Sequence, residues 1–161
     1  MMSCNTSNKS PEDSKSTQSE EQLPEITVGD IEALKYEDYV LSDASSQATS
    51  NWQKFQELSS QVEFLKKADL NFFKGDKQTL LSLMTDLKEE MPEVINTSPV
   101  NSRILVLETK LLKLQNSLTI TNISKEEKLQ DIKDVLIAFS NLNLHINKKL
   151  EFDANDVERP E

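Results

Sequence analysis

SKEEKLQDIKDVLIAFSNLNLHINKKL, residues 124–150, decides the fold. Leu129, Ile132, Val135, Leu136, Phe139, Leu142, Ile146 and Leu150 recur at steps of three and four, the spacing of one helix face. Ser124 with Glu127 three residues on is a capping-box signature. The hydroxyl and the carboxylate each satisfy a backbone N–H that the first turn leaves open. The predicted helix runs from about 125 to 150.

Three more helices precede it. Ser98-Pro99 places a cap before a proline at the first helical position, and Val100, Ile104, Leu107, Leu111, Leu114 and Leu118 then form a stripe over about 99–117. Leu105, Val106 and Leu112 widen that face, so this helix is expected to be the most buried. Leu80, Leu81, Leu83, Met84, Leu87 and Met91 mark a helix over about 77–91, which Pro92 ends. Upstream, one long helix is expected from Ser42 or Asp43 to about Phe73. Ala44, Ala48, Trp52, Phe55, Leu58, Val62, Leu65 and Phe72 form its stripe, Gly75 suits its C-terminus and Asp76 the next cap. Short connections make successive helices antiparallel neighbours. The expected fold is all-α: an up-down bundle of about four helices over residues 31–150. A three-helix hairpin array or an obligate dimer carries the same pattern, so the number of subunits stays open.

The flanks differ in composition. Residues 1–30 are polar, with two lysines against six acids, and read as a disordered tether. Residues 151–161 carry one arginine against five acids and read as a frayed acidic tail. The whole chain has a net charge of −10. Most of it lies in these ends, so the bundle is nearly neutral and carries no basic stripe for nucleic acid. Residues 26–41 are more apolar than a linker requires, and Asp30 is a candidate cap for a short turn over 31–36. No apolar run of membrane-spanning length occurs.

Candidate chemistry is sparse. His145 is the single histidine, with neither cysteine nor carboxylate three or four residues away, and reads as a solvated helix residue. Glu37-Asp38, Glu89-Glu90 and Glu126-Glu127 are adjacent acids, which diverge by about 100° on a helix and do not converge on one reacting atom. Only two glycines are present, Gly29 and Gly75, too few for phosphate or dinucleotide loops. No catalytic residue, cofactor or metal is expected. Among the aromatics, Trp52, Phe55 and Phe72 read as core. Phe64 and Phe73 fall at the stripe edge and, with Tyr36 and Tyr39, form the expected partner-contact patch.

Cys4 is the only cysteine, which excludes an internal disulfide. It follows Met1-Met2-Ser3 and precedes the polar tether, so Met1-Met2-Ser3 reads as the last fragment of a lipoprotein signal. With Ser3-Cys4, the Asn/Ser/Lys/Glu-rich tether and the Asn- and Lys-rich helices of 43–150, the chain resembles the small predicted lipoproteins of Bacteroidota-type bacteria. The resemblance is one of general style, covers the whole chain and carries over no catalytic residues. It implies acylation of Cys4 and a place at the periplasmic or outer-membrane surface. The expectation is a non-enzymatic, membrane-tethered helical domain acting through contacts with a protein partner not named by its sequence. An intracellular adaptor that self-associates through apolar helix faces is the alternative. A small-ligand carrier comes third, since it needs a polar pocket between helices.

Overall fold

The computed structural model describes residues 25–157, which are helical with no strand among them. The helices are α1 (Val28–Glu32), α2 (Asp43–Thr49), α3 (Gln53–Lys66), α4 (Lys77–Glu89), α5 (Ser98–Thr119) and α6 (Lys125–Val157), with a 3₁₀ turn at Glu93–Ile95 before α5. The all-α bundle is the fold that the helical periodicity requires. Cys4, most of the tether and the last four residues lie outside the described residues.

Helices α3 to α6 form the bundle, and named contacts fix their directions. The Trp52 indole Nε1 at the start of α3 donates to the Leu87 carbonyl near the end of α4, 2.9 Å away and buried. Gln115 near the end of α5 donates to the Gly75 carbonyl just before α4, at 2.8 Å. Ser117 at the end of α5 donates to Asp131 early in α6. Each neighbour therefore runs antiparallel. Phe55 of α3 stacks on Phe139 of α6 with centroids 5.9 Å apart, which joins the first and last of the four in the core. The core is continuous from Trp52 and Phe55 through Leu58, Leu65, Met84 and Leu87 to Ile104, Leu107, Leu111 and Leu114.

The expected first helix is two helices. Ser50-Asn51-Trp52 separates α2 from α3. The Thr49 hydroxyl donates to the Ser45 carbonyl at 2.8 Å and the Ser50 hydroxyl to the Gln47 carbonyl at 2.8 Å. Such side-chain bonds compete with the helical ladder. The break lets Trp52 turn into the core. Helix α3 then ends at Lys66, well short of Phe73. Ala68 takes the left-handed conformation, φ 62°. The Ala68 N–H bonds the Leu65 carbonyl and the Asp69 N–H the Phe64 carbonyl, each at 3.0 Å. This is a Schellman cap with alanine in the position glycine usually fills.

Other boundaries also move. The capping box at the start of α6 forms as its spacing requires: Glu127 N–H donates to the Ser124 hydroxyl at 3.2 Å and Ser124 N–H to the Glu127 carboxylate at 3.3 Å. At α5 the capping side chain is Thr97, one residue before Ser98, and accepts from Val100 N–H. Residues 25–30, placed in the tether by composition, belong to the packed structure. Ile26 is buried, and Thr27 and Asp30 form a capping box for α1. Helix α6 continues seven residues past 150, helped by the Lys149–Asp153 pair at 2.6 Å. On α5, Leu105 is 60% exposed and Val106 41%, so they do not widen the buried face. The stripe from Val100 to Leu114 suffices to fill the space against its neighbours.

Candidate interaction site: a strap clasped by the last helix

Residues 37–42 cross α6 as an extended strap between α1 and α2. Three side chains of α6 hold its backbone: Ser140, Asn143 and Asn147. Spaced three and four apart, they stand on one helix face. The Ser140 hydroxyl accepts from Tyr39 N–H at 2.7 Å and donates to the Glu37 carbonyl at 2.6 Å. Asn147 accepts from Ser42 N–H at 2.9 Å and donates to the Val40 carbonyl at 2.8 Å. Each clasp thus joins the C=O of one residue to the N–H two residues later, as a neighbouring parallel strand would.

Asn143 makes half a clasp. Its amide donates to the Tyr39 carbonyl at 3.1 Å, while its buried Oδ1 has no partner among the described residues. The pattern of its neighbours identifies Leu41 N–H as the donor that would complete it. Asn143 also lines an open cleft of about 270 Å³ between the strap, α2, α3 and α6. Lys66 stands on its α3 wall, bonded to Asp38 of the strap at 3.1 Å and to Glu63 at 3.0 Å. Burial works against the Lys66 ammonium, yet the bonds to Glu63 and Asp38 outweigh it and raise its pKa. Tyr36 is half-buried nearby. Burial, then the Asp38 charge, pushes its phenol pKa up.

The four aromatics of the expected patch separate. Tyr39 is 38% exposed and lines the cleft, and Tyr36 lies beside the same Lys66–Glu63 pair. Phe64 follows Glu63 on α3 and is 46% exposed, although it is not part of the cleft wall. Phe73 is a correction. It is 1% exposed and meets Phe72 edge-on at 5.2 Å, because the chain has already left α3 and folds back into the core. Cys4 lies outside the described residues.

Several other polar groups are tied to the scaffold. Asp131, buried in α6, accepts from the Ser117 hydroxyl and pairs with Lys113 at 3.1 Å, which raises the Lys113 pKa through that bond. His145 is half-buried, where a solvated position was expected, and its Nδ1 donates to the Asn141 carbonyl at 2.9 Å. Glu127 is spent on its capping box. Among the described residues no three histidine, cysteine or carboxylate side chains converge as metal ligands. No helix among them is long and apolar enough to cross a membrane.

The clasp was the part missed by sequence reasoning. Its signal was present: Ser140, Asn143 and Asn147 interrupt the most apolar stretch of α6 at helical spacing. Buried polar groups on a core-facing surface must be bonded to something. Comparison with protein-family models, with curated proteins and with solved structures found no match to this chain.

Proposed function

We propose that this chain is a non-enzymatic helical module, tethered at the cell envelope through an acylated Cys4, that works by protein contacts on its strap face. The observation that carries the contact reading is the strap itself. Three α6 side chains fix its backbone, while Tyr39 and Val40 point outward, Val40 at 73% exposure. A fixed, outward-facing aromatic and aliphatic pair beside an open cleft is a contact surface with little ordering entropy left to lose. Buried polar side chains are meanwhile used internally: Ser140 and the Asn143 amide N–H on the strap, Ser117 and Asp131 on the α5–α6 pair, Gln115 on the Gly75 carbonyl. That use favours a scaffold over a reaction centre. The tether reading rests on Cys4 and the polar residues after it.

A photo-reactive amino acid at Tyr39 or Phe64, in the native host, tests the contact reading. Discrete protein adducts are expected from these positions and not from Phe152 on α6. Equal labelling at all three, or none at Tyr39, contradicts it.

A second reading has its own observation. Leu105 and Val106 expose apolar surface on α5, the material for self-association. Sedimentation across a concentration series decides it: a mass that rises with concentration and falls back in Leu105→Glu supports an adaptor that oligomerises through α5.

A further inference from the structure

A second cleft, of about 750 Å³, opens at the end of the bundle where α3 and α5 finish and α6 begins. Its size suits a small ligand. Ile26, Leu70 and Leu118 supply apolar wall, and Lys67, Lys74 and Lys128 bring three ammonium groups to it.

Like Lys35, Lys77, Lys133 and Lys148, these three lysines have no ion-pair partner among the described residues, and all three line one cleft. The molecule is acidic, with a net charge of −10. Lys54, Lys66, Lys88, Lys110, Lys113, Lys125 and Lys149 each pair with a carboxylate. Lys67, Lys74 and Lys128 pair with none among the described residues, although two acids, Glu25 and Asp69, share their cleft. The Asp69 carboxylate accepts from Asn71 N–H at 3.1 Å and keeps its negative charge in the cleft. The fold pays some strain for this convergence. The left-handed Ala68 reverses the chain after Lys67, and the loop then returns with Lys74, while Lys128 comes from α6. Separate segments of chain thus deliver three positive charges above apolar side chains, in excess over the two carboxylates of the cleft.

We propose that this cleft binds a phosphate-bearing anion with an apolar portion, its phosphate held by Lys67, Lys74 and Lys128. The three ammonium groups supply charge-assisted hydrogen bonds to phosphate oxygens. Ile26, Leu70 and Leu118 accept the apolar portion. Two sources share this chemistry, an anionic lipid headgroup and a soluble phosphate compound. The proposal does not depend on the tether and is tested without it.

The full chain carrying Cys4→Ser is titrated with inorganic phosphate while backbone and lysine side-chain NMR signals are followed. It is also floated with vesicles of phosphatidylglycerol in phosphatidylcholine, and with phosphatidylcholine alone. Saturable shifts centred on Lys67, Lys74 and Lys128 are expected. Their loss, at least roughly fivefold in binding, is expected in the Lys67→Gln/Lys74→Gln/Lys128→Gln variant. A Lys77→Gln/Lys133→Gln/Lys148→Gln variant, with the same change of charge elsewhere, should keep them. Binding to the anionic vesicles as well identifies a lipid headgroup, and phosphate shifts without vesicle binding identify a soluble ligand. No localised shift and no vesicle binding overturns the proposal, and so does an equal loss in both variants. Circular dichroism of each variant establishes that it is folded.

Discussion

At φ 62°, Ala68 sets its Cβ against the following carbonyl oxygen, a conflict worth roughly 1–2 kcal/mol for an L-residue. Glycine avoids it but loses more freedom on folding. Ala68→Gly is therefore expected to stabilise the protein by about 1 kcal/mol in urea unfolding; a loss of stability would mean that the methyl group packs usefully. Asp30 makes a second prediction at this scale. Its carboxylate bonds Lys125 at 2.8 Å and the Thr27 backbone, in that order of effect, and its pKa falls from 3.8 to about 2. A carboxyl depressed on folding stabilises the native state above its unfolded pKa. That contribution fades as pH falls from near 3.8 through about 2. Asp30→Asn should flatten the acid limb of the melting curve in that window and leave its shape at neutral pH unchanged. An unaltered acid limb would show that the pair is not linked to folding. Neither residue was legible as such in the sequence. Asp30 reads as a cap, but its partner Lys125 is distant in the chain. Ala68 reads as helix, because nothing local distinguishes an alanine that ends one.

At the scale of elements, the periodic stripes marked α4, α5 and α6 and the capping box marked where α6 begins. Both signals are local, so short windows contain them. The break at Ser50–Trp52 was hidden, because the apolar spacing of Trp52 and Phe55 continues the stripe across it. The strap was hidden for a different reason. Its backbone is held by residues about a hundred positions away, and its own side chains carry little of the attachment. Ser124→Ala should cost about 1 kcal/mol, the usual worth of such a cap. For the strap, Asn147→Ala removes both bonds of one clasp. Amide hydrogen exchange at Ser42 should rise by roughly tenfold or more, while exchange in the middle of α5 stays within about twofold. If Ser42 exchanges at its wild-type rate, the clasp does not hold the strap.

For the whole molecule, the antiparallel order of α3 to α6 follows from apolar stripes and short connections, whereas α1 and the split between α2 and α3 do not. The candidate contact site was only partly legible. Tyr36 and Tyr39 lie on or beside the strap face and Phe64 is exposed on α3, whereas Phe73 belongs to the core, since chain reversal at Ala68 redirects everything after it. The proposed function has this body held at a membrane surface through Cys4 and meeting proteins with its strap face. One lipid chain binds a membrane only marginally, and the account therefore requires multiple acylation. The most direct test is the intact mass of the protein recovered from its native host by detergent extraction, compared with Cys4→Ser. The expected species is membrane-associated and heavier by more than one acyl chain, with the added mass on a peptide beginning at Cys4 and absent from the variant. Recovery of the unmodified protein in the soluble fraction would contradict it.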